Sequence, residues 1–320
     1  MSRRSTPSRG GNRRWRRGRW RNARWREQSW ALVVAVAGLC CNALGCNDPA
    51  KTTAPAAPST TASATAAQVP GGLVLPPRRP FDSNPLKLPV LPVALKKGDR
   101  VFAIARRELE TAQLGSTLVL RAARVEGMEG SDVTLRLTFG PLYAVHPGYV
   151  IVPRQARLRR GANVIANLHG KLRHAVVTNL LRGKILVRYT DMGRKRPDRR
   201  LDPEDVGALG SGLEPGAFAV YRTAQQQHHV VLVSRGDYPD GKRRWLVLGY
   251  GSAAMIVDEA KLAPFPKRFK TKVGEDVLVA WRGTMVSATV RLIDNPGLYT
   301  VKRQRAGAPF TVGPGQIMKR

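Results

Sequence analysis

The chain has 320 residues, with 54 Lys and Arg against 22 Asp and Glu, a formal net charge of +32. A surplus of that size points to polyanionic partners and costs self-repulsion when none is bound. All three cysteines fall within residues 40–46, so the chain beyond them is barred from a Cys nucleophile, a Cys-ligated zinc, a thiol redox pair or an internal disulfide.

Residues 1–29 hold eleven Arg and one acidic residue, with Trp15, Trp20 and Trp25 spaced by five. The segment reads as an over-long signal leader, as an Arg/Trp membrane-surface segment, or as an RNA-binding arm. Behind it, residues 30–46 run for 17 positions without a charge and end in small residues before a cysteine. That is the layout of a secretory signal. A membrane-spanning helix needs about 20 apolar residues, and this run is interrupted by Gly38, Asn42 and Gly45. Ala43-Leu44-Gly45-Cys46 resembles the lipobox of bacterial lipoproteins. The resemblance implies cleavage before Cys46, a lipid on that cysteine, and attachment to a membrane of the cell envelope. Removing residues 1–46 leaves 43 basic and 21 acidic residues, +22, so the basicity belongs to the body of the protein.

Residues 47–70 are 19 parts in 24 Ala, Pro, Ser or Thr, with no aromatic residue. Such a composition buries too little apolar surface to offset ordering, which predicts a disordered tether with a root-mean-square reach of roughly 25–30 Å. Residues 71–95 carry six prolines among Leu and Val and read as an extended arm lying against the first folded unit.

From Lys96 onward the texture changes to short β-branched runs broken by Gly and charged turns, without helical periodicity. Strands are expected at 101–105, 118–125, 133–139, 164–168, 174–179, 185–189, 218–222, 229–234, 245–250, 277–281, 288–293 and 298–302. The pattern repeats. Four glycines, Gly98, Gly161, Gly216 and Gly274, each open a hydrophobic strand and stand 63, 55 and 58 positions apart. Each unit closes on two apolar residues five positions apart: Val145 and Val150, Leu201 and Val206, Val257 and Leu262, Val312 and Ile317. The Pro, Gly and Asp content between those anchors suits one tight turn joining two short strands. The expected fold is all-β: about four tandem five-stranded small barrels over 96–157, 158–211, 212–268 and 269–320, after a disordered N-terminal region. Units of that size are marginal alone, so the barrels are expected to pack on one another.

The fourth unit, with Val277-Leu-Val-Ala-Trp281, then Ala288-Thr-Val, Leu298-Tyr-Thr-Val301 and Val312 to Ile317, resembles a Tudor/agenet-type barrel. The second follows it with Val164-Ile-Ala166, Leu168 to Ala175 and Val187-Arg-Tyr189. In that family a Trp-containing turn links the first two strands and a short helical turn precedes the last. The resemblance implies that Trp281 and Tyr299 could line an aromatic cage for methylated Lys or Arg. Met285 and Val286 stand where a further cage aromatic belongs, and packing within the barrel is the other reading of Trp281 and Tyr299.

No metal or cofactor motif is present. The five histidines form no His-Glu-x-x-His and no Cys/His framework, and His169 and His174 bracket a predicted turn, where solvent exposure is expected. Gly249-Tyr-Gly251-Ser-Ala-Ala254 formally matches a dinucleotide-binding string but lies between strands and reads as a turn. The acidic residues sit mostly in turns, leaving no carboxylate pair for a hydrolase. The positive signal is basic clustering before the closing turns: Arg194, Lys195, Arg196, Arg199 and Arg200; Lys242, Arg243 and Arg244; Lys302, Arg303 and Arg305. Stacked repeats would align these into a stripe for phosphate or sulfate groups; the other reading is solvated hairpin tips. Further clusters mark two junctions, Arg154, Arg157, Arg159 and Arg160, and Lys267, Arg268, Lys270 and Lys272.

The sequence therefore predicts a lipid-anchored, non-catalytic binding or scaffolding protein of the bacterial envelope, with a basic surface for anionic polymers and no cofactor. The alternatives are a protein- or peptidoglycan-binding module with incidental charge, an envelope hydrolase, and a cytoplasmic nucleic-acid binder if the leader is misread.

Overall fold

A computed structural model describes residues 81–320 except 90, 92, 93, 139, 192–196, 211, 267 and 306. The leader, Cys46 and the tether lie outside the described residues. Among the described residues twenty strands form, five to a barrel. Barrel one has β1 (Arg100–Ile104), β2 (Leu120–Glu129), β3 (Asp132–Leu137), β4 (Leu142–Val145) and β5 (Val150–Ile151). Barrel two has β6 (Asn163–Leu168), β7 (Lys171–Leu181), β8 (Lys184–Tyr189), β9 (Arg199–Leu201) and β10 (Val206–Ala208). Barrel three has β11 (Phe218–Arg222), β12 (Gln227–Asp237), β13 (Arg243–Leu248), β14 (Ala254–Asp258) and β15 (Leu262–Pro264). Barrel four has β16 (Asp276–Trp281), β17 (Thr284–Asn295), β18 (Leu298–Arg303), β19 (Phe310–Val312) and β20 (Ile317–Lys319). All twelve expected strands overlap these. One helical turn, α1 (Arg106–Leu109), was not foreshadowed by any periodicity.

Every barrel is built by the same three devices. Alternation turns one side chain in two inward, as with Val277 and Val279 on β16 or Val133 and Leu135 on β3, all fully buried. The opening glycine has positive φ in each case, 94, 79, 86 and 88° at Gly98, Gly161, Gly216 and Gly274. Its N–H donates to Val125, Val177, Leu232 or Val290 O at 2.7–2.8 Å, and the same residue's N–H returns a bond to the turn just before the first strand. There the long second strand bulges, in all four barrels, within its ladder with the third strand and just past its pairing with the first. A bulge bends the strand and increases its twist, so the sheet curls.

The closing motif is the third device, and its turn is the short helical one that the Tudor/agenet resemblance implies. The two strands it joins do not pair with each other: β4 pairs with β3, whereas β5 pairs with β1, and the other barrels follow suit. A single 3-10 turn (Pro147–Tyr149, Pro203–Asp205, Glu259–Lys261, Pro314–Gln316) carries the chain between opposite sheet edges. Edges that four residues can span must lie side by side, which closes the barrel. Three of the turns begin with proline, whose fixed φ and missing N–H suit a first helical position.

Barrels pair. A bridge between Arg121 and Lys171 joins barrels one and two into one ten-stranded sheet, and one between His228 and Thr284 does the same for three and four. Both use the two-residue turn of the even barrel, His169-Gly170 or Arg282-Gly283, with positive φ throughout as a tight hairpin demands. Gly170 O accepts from Ala122 N, and Gly283 O from His229 N. The pairs then dock core to core. The largest cluster combines barrel one with Val233, Leu246, Leu248 and Ala254 of barrel three and Ile165 of barrel two. The segment between α1 and β2 adds hydrogen bonds to barrel three, Leu118 N to Ser252 O and Ala254 N to Ser116 O, both 2.9 Å. Part of the Pro-rich arm seals barrel one: Leu88 is buried, and Leu86 N donates to Tyr149 Oη at 3.0 Å.

Where barrels two, three and four meet, His174 stacks on Phe218 with centroids 3.6 Å apart, and Phe218 packs against His229 at 4.1 Å. His174 Nε2 lies 2.7 Å from Gly216 O, and His229 Nε2 3.0 Å from Gly315 O. A carbonyl only accepts, so each ring donates through Nε2–H. The solvent exposure expected of His174 is not found; it is 2% exposed within β7, because Phe218 of another barrel covers it. Gly249–Ala254 forms the expected turn, between β13 and β14.

This packing makes two predictions. A Cβ on Gly274 meets nothing within 4 Å, whereas one on Gly161 meets Pro296 at 2.8 Å, including backbone atoms at 3.0 Å. Gly274→Ala should cost about 1–2 kcal/mol through left-handed backbone strain alone, and Gly161→Ala more, as measured by denaturant unfolding. Burial lowers the His229 pKa to about 4, against about 6.5 in an unfolded chain. Between those values the unfolded state takes up a proton that the folded state refuses. The contribution is complete above about pH 6.5 and lost as pH falls toward 4, by up to about 3 kcal/mol. His229→Gln should flatten that stretch of the stability–pH curve.

Candidate polyanion-binding cleft

The two odd-to-even linkers are built alike. In Arg157-Leu158-Arg159-Arg160, Leu158 packs against the core of barrel two while the three arginines stay exposed. In Arg268-Phe269-Lys270, Phe269 is buried in barrel four, its ring edge-on to Tyr299 at 5.6 Å, and both cations are exposed. Tyr299 Oη donates to Phe269 O at 2.5 Å and holds that backbone. An apolar residue pinned under the next barrel thus throws its cationic neighbours outward.

These linkers, over a hundred residues apart in sequence, line one cleft of about 1160 Å³. Arg154, Arg157, Arg159, Arg160, Arg268 and Lys270 contribute to its walls, with Gly161, Pro296, Gly297, Pro314 and Gly315 between them. Arg160 Nε donates to Thr178 O at 2.9 Å. Arg154 stands 3.9 Å from Glu214.

The clusters expected on the loops are placed differently. Arg194, Lys195 and Arg196 lie outside the described residues. Arg199 and Arg200 are exposed on β9; Lys302 and Arg303 end β18, with Arg305 exposed just beyond. Lys242 lies in the turn between β12 and β13, and Arg243 and Arg244 open β13, one hairpin earlier than their counterparts, so symmetry does not align the three sets. Two of these cations have acidic partners. Arg243 lies 3.3 Å from Asp237, and Arg244 bonds Asp258 at 3.0 Å, pairs with Asp240, and lies over the Tyr238 ring at 5.0 Å.

Trp281 and Tyr299 do not share a wall. Trp281 lines a second cavity of about 620 Å³, to which all four barrels contribute, whereas Tyr299 is 5% exposed beside the cationic cleft. Trp281 packs on Phe310 at 4.8 Å, and the Arg303 guanidinium sits 4.2 Å from its ring centroid. The cation–π position on Trp281 is therefore taken by this chain's own arginine.

Sequence reading found both junction clusters but not their meeting. The shared cation–apolar–cation triplet at the two linkers was the available signal, since matching positions in matching pairs of repeats imply one side of the molecule. Among the described residues no group of three or more His, Cys, Asp or Glu could hold a metal, and no helix is long and apolar enough to cross a membrane.

No protein-family model matches the sequence, and no curated protein does. Among solved structures, the chain matches the crystal structure of the four MBT repeats of Drosophila melanogaster Sfmbt in complex with the peptide RHR(me)KVLR. The identity is 10%, the match covers 70% of this chain and 88% of that one, and the TM-score is 0.15. At that score the overlay carries no argument, and the four-barrel fold rests on the strand registers and shared cores described above.

Proposed function

We propose that this chain is a non-catalytic binding lipoprotein of the bacterial envelope, held to a membrane through Cys46 and presenting a cationic body to anionic polymers. The observation that carries the reading is the cleft, where two separate linkers add their cations to one another. The body's net charge of +22 would draw polyanions from a distance, and the cleft would concentrate that attraction. A lipid chain alone gives marginal, reversible attachment, and a basic surface facing anionic headgroups supplies the second signal that firm attachment needs. The Ala/Pro/Ser/Thr tether fits the same arrangement by letting the barrels stand off the membrane.

Two measurements test the two halves. Mass analysis of the native amino terminus should find an acylated Cys46 as the first residue; cytosolic protein still carrying residues 1–45 would overturn the export half. Binding of a polyanion to the full chain should weaken roughly 10²-fold or more between 50 and 200 mM salt, as expected when several cations displace counterions. Binding indifferent to salt would overturn the charge half.

A further inference from the structure

We propose that the cleft takes a chain of repeating phosphate groups without bases, recognised by charge and guanidinium geometry alone. The inference rests on the polyanion reading and narrows it to one site and one ligand chemistry.

Four observations support it. The first is the identity of the cations. Five of the six are arginines, and a planar guanidinium meets a phosphate through two parallel hydrogen bonds where an ammonium acts as a point charge. The second is their lack of acidic partners. Among the described residues, Arg157, Arg159, Arg160, Arg268 and Lys270 have no carboxylate within 4.0 Å, and the pair nearest the cleft, Arg154 with Glu214, is loose at 3.9 Å. Glu214 is itself engaged by Gly210 N. Cations gathered this way repel one another until an anion arrives.

The third observation is size. A volume of about 1160 Å³ exceeds the usual range of roughly 300–1,000 Å³ for small-molecule pockets, which favours a polymer segment over a single small anion. The fourth concerns what else the cleft offers. Single-stranded nucleic acid is held by exposed aromatic faces on which bases stack, each worth about 1–3 kcal/mol. The aromatic residues here are Phe218, Phe265, Phe269 and Tyr299, none more than 7% exposed, and their faces are taken up by packing. Between the cations lie glycine, proline, alanine and leucine, with Asn163 as the one uncharged polar side chain besides Tyr299. The cleft offers charge but no free aromatic face on which a base could stack.

The test uses the full-length protein and three probes of matched charge: end-labelled inorganic polyphosphate, poly(glycerol phosphate) and an oligodeoxythymidylate. Binding is read by fluorescence anisotropy across a salt series. Arg159→Ala with Arg268→Ala removes one cation from each wall; Arg199→Ala with Arg200→Ala removes two exposed cations from β9. All four positions are exposed, and thermal melts check that both double variants remain folded. The expected result is a loss of roughly tenfold or more in affinity for the phosphate chains in the cleft variant. Its log–log salt slope should shrink by about 1.4, near 0.7 for each phosphate left without its cation. The β9 variant should lose about twofold or less. Preference for polyphosphate or for poly(glycerol phosphate) supports the shared chemistry and tells which source supplies it.

Equal losses in the two double variants would overturn the cleft assignment, and tighter binding of the oligodeoxythymidylate would overturn the base-free ligand, while the broader polyanion reading stands. A wild-type protein that binds none of the three at low salt would overturn both.

Discussion

The pair of hydrogen bonds between each opening glycine and the bulge of the second strand is the constraint on which the rest of this structure depends. A strand such as β17, 12 residues long, pairs with β16 along its first half and β18 along its second. It can serve both only by bending, and the bulge supplies the bend. The glycine fixes where the bulge falls, because its positive φ turns its N–H onto the bulging strand. Once the sheet has curled there, its two edges lie within reach of a single 3-10 turn. The same two bonds recur in all four barrels within 0.1 Å of one another, despite wide divergence of the side chains around them.

A closed barrel of this size has room for few buried side chains, eight in the buried core of barrel two. Such a unit gains little against the conformational entropy of ordering its chain. The chain offsets this by sharing cores and hydrogen bonds. Even barrels lend their hairpin turns to the odd barrels' second strands, and barrel one extends its segment between α1 and β2 onto barrel three. Gly283 shows how tightly this is built. A Cβ there would collide with the Tyr250 side chain, so the turn that links barrels three and four has no room for any other residue.

What the sequence made legible was whatever the backbone requires of a residue type. Glycine at each opening, the apolar anchors of each closing and the alternating β-branched strands all left local marks, and all mark the same features in the structure. The closing segment was recognised as a turn but not as a bridge between opposite edges, since Pro-Gly and Pro-Glu suit a hairpin and a 3-10 turn equally. Strands such as β5, with two residues, carry too little alternation to be read at all. Contacts between barrels left no local mark. Nothing near His174 in sequence signals that Phe218 will cover it, nor does anything near Trp281 signal that Arg303 will take its ring face.

The same distinction separates the cations on the loops from those on the linkers. A loop-tip cation and a linker cation look identical in a sequence; their surroundings separate them. Arg243 and Arg244 project from a hairpin rich in Asp, so their charge is spent on holding that hairpin together. Leu158 and Phe269 fix each linker under its following barrel, and the two pairs of barrels, built by the same bridges, bring both linkers to one cleft. Like charges gathered there without acidic partners lower the stability of the free protein. An anion bound between the two linkers would relieve that repulsion.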